Sequence, residues 1–399
     1  MDSIKHKILT NKQTNKQTNR QTGIELLKIF AIFVIIVSHV VQTLVSENLE
    51  ISYQGYVVDV SNATTDIQHI VLLIFRHFGV LGNSIFFIAS AWFLLKSNRY
   101  KKKKCFFMIL EIWTVSISIL IVTYVILQGN ISAKIVLESL FPTTFANNWY
   151  MTCYLLFYAT HPLLNKIIRG MNQVQVFRCA SVLSILYIFI DFIVGDLFFP
   201  SMLILWVTIY FIIAYTQIYA SGYANSIKSN LVLLFLSIIC FIASVLLLEV
   251  GGLHISFLSN KMMHWINNCN PFLIAMSVAL FNIARGVCFK NKFINYISSL
   301  SLLIYIIHEN LILRTYFRPA MWNYVYHHYG YSHVIAWVFI LVIMVFLFAM
   351  VSAMIYQQTI QRLVLKIGDK LYEWMKIKYL KMEKKILSLS SVSDTKREK

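Results

Sequence analysis

Charge is scarce in this chain. Only 13% of its 399 residues are Asp, Glu, Lys or Arg, while 58% are hydrophobic, and the mean hydropathy is +0.67. A soluble domain has no means of burying that much apolar surface, whereas a bundle of membrane helices leaves it facing lipid. Glycine is also sparse, at 13 residues, and neither a phosphate-cradling Gly-rich loop nor a GxSxG nucleophile turn appears. The six cysteines (Cys105, Cys153, Cys179, Cys240, Cys269, Cys288) show no CxxC spacing and mostly sit in or beside apolar runs. They read as small apolar residues, with no metal site and no disulfide framework. Acidic residues are few, 17 against 35 Lys and Arg, which gives a formal charge of +18. An excess of this size can signal nucleic acid, but no nucleic-acid module is present. The basic residues fall in the N-terminal tail, in Lys96–Lys104 and in the C-terminal tail, as the positive-inside rule expects.

What is present is a series of long apolar runs. They predict an all-α integral membrane protein of about ten spans, near 24–45, 69–95, 105–128, 149–168, 176–198, 200–220, 230–250, 269–288, 293–314 and 334–360. The loops alternate in charge. The basic N-terminal tail is followed by a 46–68 loop with Glu47, Glu50, Asp59 and Asp66 and no Lys or Arg, and then by the basic Lys96–Lys104. This alternation predicts both termini in the cytoplasm and an even number of spans. Arg314 and Arg318, in the last predicted outer loop, stand against it. Residues 1–22 carry the tetrads NKQT-NKQT-NRQT, lack an apolar face and read as a disordered tail. The membrane domain is then 23–360. Residues 361–399 read as a basic amphipathic cytoplasmic segment, held at anionic headgroups, with a polar end.

The first run, GIELLKIFAIFVIIVSHVVQTL (Gly23–Leu44), carries Glu25, Lys28 and His39 inside or at the edge of an apolar stretch. Polar side chains at membrane depth are costly and by default point to function. At about 100° per residue, the eleven steps from Lys28 to His39 close three turns with roughly 20° left over, so both lie on one helix face. Glu25 is three residues from Lys28 on that face, and His39 lies roughly 16 Å further along. The structural alternatives are a Lys28 that snorkels to the headgroups with Glu25 as partner, and a His39 that only bonds a neighbouring helix.

Four stretches, in order, resemble the integral-membrane acyltransferase-3 family, which includes polysaccharide O-acetyltransferases, in its Gram-positive form. The first is Glu25, Lys28 and His39, with Lys28 where an arginine is usual. The second is RHFGVLGNSIFFIASAWFLL, matching at Arg76, Gly79, Phe86, Phe87 and Ser90, with Ala91-Trp92 where Gly-Tyr is usual. The third is NNWYMTCYLLFYATHPLLNKII, with Trp149, Tyr150, Tyr154, Pro162 and Asn165, and the fourth is SLSLLIYIIHEN, with Tyr305 and His308.

The resemblance implies an O-acyltransferase that moves an acyl group, by default acetyl, from cytoplasmic acyl-CoA to a hydroxyl of a surface glycan or its lipid-linked precursor. Acyl-CoA is then a donor substrate, and no permanently bound cofactor is expected. His39 is the candidate base or transient acyl carrier, since its unperturbed pKa lies closest to neutrality. Glu25 is placed with it as a catalytic candidate, whether it orients Lys28 or stabilises a charged intermediate. Lys28 and Arg99 are candidates for CoA phosphates, although the positive-inside rule alone accounts for Arg99. Arg76, Trp149, Tyr150, Tyr305 and His308 are candidates for the acceptor, and interfacial aromatic belts offer a plainer account of the aromatic ones. The main rival reading is a multi-span transporter or flippase. It would favour repeated halves with helices broken at midplane, and the sequence shows no such symmetry. A non-catalytic membrane scaffold is the third reading, and it leaves Lys28 and His39 unexplained.

Overall fold

The computed structural model describes residues 21–394 apart from 43, 45–50, 54–55, 59–66, 98, 146, 195–201, 253, 256–257, 259–267 and 331. The tetrad tail up to residue 20, and Glu47, Glu50, Asp59 and Asp66 of the acidic loop, lie outside the described residues. The order is α1 (Thr22–Gln42), a two-stranded antiparallel hairpin of β1 (Ile51–Tyr53) and β2 (Tyr56–Val58), α2 (Ile67–Leu95), α3 (Lys102–Ile126), α4 (Ala133–Leu140) and α5 (Trp149–Gly170). Then come α6 (Gln173–Ser184, running on as a π-helical Ile185–Ile190 and Asp191–Val194), α7 (Met202–Ile218), α8 (Ser221–Asn225), α9 (Ile227–Gly252) and α10 (Pro271–Gly286). The chain ends with α11 (Lys292–Ser299), α12 (Ser301–His308), a π-helical turn at Leu313–Phe317, α13 (Arg318–Tyr329), α14 (Val334–Gln358) and α15 (Ile360–Asp394).

Six described helices are long and apolar enough to cross a membrane: α1, α2, α3, α9, α14 and the 173–190 run of α6. The other four predicted spans fall on α5, α7, α10 and α11–α12. Helix α7 has 17 residues and α10 has 16, so each rises about 25 Å, short of the ~30 Å hydrocarbon core. The predicted span at 293–314 is a chain of short segments, for a reason that lies at the site described below.

Helix α1 is the axis of the bundle. Of its apolar window 67% is buried inside the protein, against 22% for α9 and 28% for α14, which leave most of theirs facing outward. Its main partner is α2, and small residues set the spacing. A Cβ on Gly82 would sit 2.5 Å from the Ala31 carbonyl oxygen, and one on Gly79 would sit 2.7 Å from the Ser38 hydroxyl. Between membrane helices, where lipid is as apolar as leucine, such close approach supplies the attraction. The same approach puts Arg76 beside Ser38. The Ser38 hydroxyl donates to the Arg76 carbonyl at 2.5 Å and accepts from Arg76 Nη1 at 3.0 Å.

The C-terminal segment is helical through Asp394 and begins after a break at Thr359 (φ −103°, ψ −77°). It lies on the first turns of α3. Gly368 faces Phe107 and Leu110, Asp369 pairs with Lys103 at 2.6 Å, and Tyr372 meets Phe106 with ring centroids 5.5 Å apart.

Candidate active site at the C-terminal end of the first helix

His39 lies three residues before the end of α1, and a segment 269 residues later in the chain meets it there. His39 Nδ1 is 2.8 Å from Glu309 Oε2 and 3.1 Å from His308 Nε2, and the two imidazoles stack at 26° with centroids 5.3 Å apart. His308, at 3% exposure, and Glu309, at 5%, are buried, and the His39 side chain is 14% exposed. Two arginines hold Glu309. Arg318 Nη2 donates to Oε2 at 3.0 Å, and Arg314 Nη1 donates to Oε1 at 3.2 Å.

The break in the predicted 293–314 span makes this possible. Helix α12 stops at His308, and its terminal carbonyl accepts a bond from Arg318 Nη2 at 3.0 Å. The Asn310 side chain accepts from the Ile312 amide at 3.0 Å. A helix interrupted at membrane depth is tolerated where protein groups satisfy the freed backbone, and here they do. The interruption turns Glu309 back toward α1. Trp322 of α13 closes the arrangement by donating to the Val40 carbonyl at 2.9 Å.

Hydrogen-bond logic assigns the protons. His308 Nδ1 faces the Ile304 carbonyl at 2.8 Å, and a carbonyl only accepts, so Nδ1 carries the hydrogen and Nε2 of the neutral ring is an acceptor. His39 Nδ1 then faces two acceptors, Glu309 Oε2 and His308 Nε2, and must itself carry a hydrogen. The neutral His39 ring is left with its lone pair on Nε2. A carboxylate that fixes a histidine tautomer through Nδ1–H and leaves Nε2 basic is the arrangement of hydrolytic triads, reached here on a membrane bundle.

The other predicted site residues divide into two groups. Tyr305 and Tyr150 join the cluster: the Tyr305 ring is 5.7 Å from His308, and Tyr150, buried, is 5.8 Å from Tyr305. Trp149 is one ring further out, at 5.8 Å from Tyr150. Arg76 reaches it through Ser38, next to His39 in the chain. Glu25 and Lys28 do not join it. They form an ion pair at 3.3 Å at the opposite end of α1, about 21 Å and 16 Å along the axis from His39. There Ser298 of α11 donates to Glu25 Oε2 at 2.5 Å. Glu25 is thus a partner of Lys28 and not of the histidine. Arg99 is exposed, between α2 and α3.

Sequence reasoning missed Glu309, Arg314 and Arg318. The available signal was the HE pair at 308–309, followed by two arginines that broke the charge alternation of the loops. Ligating atoms of His39, His308 and Glu309 lie within 4.8 Å of one another, and a divalent cation accepts such donors. The two arginines, however, already occupy both Glu309 oxygens.

The sequence model of the acyltransferase-3 family, described as an acyltransferase domain, matches residues 21–354. No curated protein and no solved structure matches the chain. The matched stretch covers most of the chain and includes every residue of the cluster. The chain belongs to the acyltransferase-3 family and is a membrane acyltransferase.

Proposed function

We propose that this acyltransferase moves an acyl group, acetyl by default, from cytoplasmic acyl-CoA to a hydroxyl of a surface polysaccharide or its lipid-linked precursor, with His39 as the reacting base. The observation that carries this reading is the 2.8 Å contact of His39 Nδ1 with Glu309, which leaves Nε2 basic. In the reaction, Nε2 takes the proton of the acceptor hydroxyl as its oxygen attacks the thioester carbonyl. The carbon–sulfur bond breaks, and the leaving thiolate recovers that proton from the imidazolium. Glu309 stabilises the imidazolium while it exists. The same lone pair serves a two-step route in which Nε2 carries the acyl group before the acceptor arrives.

Under this reading the two ends of α1 have separate tasks. Lys28, held by Glu25, meets an anionic part of the donor, and the ~16 Å to His39 matches the scale of an extended thioester arm. Tyr150, Tyr305 and Arg76 line the acceptor side. The deciding experiment compares surface glycans from deletion strains complemented with wild-type or His39→Gln protein, by mass spectrometry. Wild type restores an O-acyl mass increment and His39→Gln does not. Full restoration by His39→Gln would remove the histidine from the chemistry.

A further inference from the structure

A groove of about 580 Å³ runs along the flank of the bundle between α3, α13 and α14, and its walls are almost entirely apolar. Val122, Met344 and Phe348 are typical of its lining, and all belong to helices that flank the site. Two of its hydroxyls are turned away into the protein. Ser118 donates to the Thr114 carbonyl at 2.7 Å, and Tyr356 bonds the Thr114 hydroxyl at 2.5 Å. Most of the wall therefore offers a ligand dispersion contacts and no hydrogen bonds, which suits a hydrocarbon chain.

The lining also includes His308 and Arg318, which belong to the cluster around His39. The charge there does not balance. Among the described residues Glu309 is the one carboxylate bonded to Arg314 and Arg318, so two guanidiniums share one negative charge. Arg318 spends Nη2 on Glu309 and on the His308 carbonyl, and its Nε and Nη1 make no bond among the described residues. An apolar channel that ends at surplus positive charge is complementary to an amphiphile with an anionic head.

We propose that the groove and Arg318 form the site of a phosphate-bearing lipid, with its chain along α3 and α14 and its phosphate at Arg318. Resting on the acyl-transfer reading, this makes the acceptor a lipid-phosphate-linked sugar, whose hydroxyl reaches His39 because the phosphate is anchored beside it. A finished, lipid-free polymer would leave the groove without a role.

The test uses the full chain in nanodiscs and farnesyl phosphate carrying a terminal diazirine, with photolabelled peptides mapped by mass spectrometry. Labelling is expected within 115–126 and 344–356. Unlabelled farnesyl phosphate should compete at least about tenfold better than farnesol, as an anion bonded to a guanidinium implies. Ser352→Trp and Val122→Trp each fill the groove and should reduce labelling about tenfold. Equal competition by farnesol, or equal competition by dioleoylphosphatidylglycerol, would show a general lipid crevice and overturn the proposal. So would labelling that neither tryptophan variant reduces. Because the readout is binding, its failure is separable from failure of the acyl-transfer reading, which the glycan comparison tests alone.

Discussion

The two ends of α1 carry the same kinds of side chain and are built differently. At the Thr22 end, Glu25 and Lys28 are neighbours on one helix and satisfy each other at 3.3 Å, with the Ser298 hydroxyl as a third member. The Lys28 side chain is 25% exposed and that of Glu25 6%, so one member of the pair is accessible and the other buried. At the Gln42 end, His39 is held by Glu309, Arg318, Arg314 and His308 from a separate part of the chain, and most of that cluster is buried. A pair three residues apart on one helix is set by that helix's own periodicity. A buried, long-range cluster fixes the tautomer and orientation of its histidine and depends on every member. On the proposed function, that contrast corresponds to one end of α1 meeting the anionic donor and the other transferring a proton.

The largest expected effect falls on the buried end. His39→Ala should lower acyl transfer by about 10² to 10⁴, the usual loss for a positioned base, while the protein still accumulates in the membrane. The check is turnover with purified protein at matched amounts. Next comes Glu309→Leu, which leaves two guanidiniums without their carboxylate. Removing one partner of a buried ion pair costs about 3–5 kcal/mol, so the thermal midpoint in detergent should fall along with activity. Arg318→Leu added to Glu309→Leu should recover part of the midpoint but none of the activity. Recovery of both would make Glu309 a structural residue.

The Thr22 end should respond more gently. Lys28→Ala should raise the donor KM by about tenfold with a smaller change in turnover, the mark of lost ground-state binding. Lys28→Arg should keep or improve activity, because guanidinium also pairs with phosphate. A well-folded but inactive Lys28→Arg would break the assignment of this end to the donor.

The polar stripe on α1 was the legible part. Glu25, Lys28 and His39 share a stripe that helical periodicity alone exposes, and the runs that became α1, α2, α3, α9 and α14 were plain in the sequence. His308 and Tyr305 were visible only as motif residues of a resembling family. The pairing of His39 with Glu309 was not readable, because contacts between residues 270 positions apart leave no periodic trace. The 293–314 run read as one span because hydropathy cannot register that Arg318 caps the His308 carbonyl and ends the helix there. Arg314 and Arg318 looked like an exception to the positive-inside pattern. Their place on Glu309 explains it, since they serve a buried carboxylate and need not mark a cytoplasmic loop.

The division of labour along α1 is tested most directly by the steady-state constants of His39→Gln in purified, reconstituted protein. Glutamine keeps a hydrogen bond to Glu309 but takes no proton near neutral pH. The expected result is kcat lowered by at least about 10² with the donor KM within roughly twofold of wild type. A kcat close to wild type, or a loss confined to the donor KM, would contradict the assignment of proton transfer to this end of the helix.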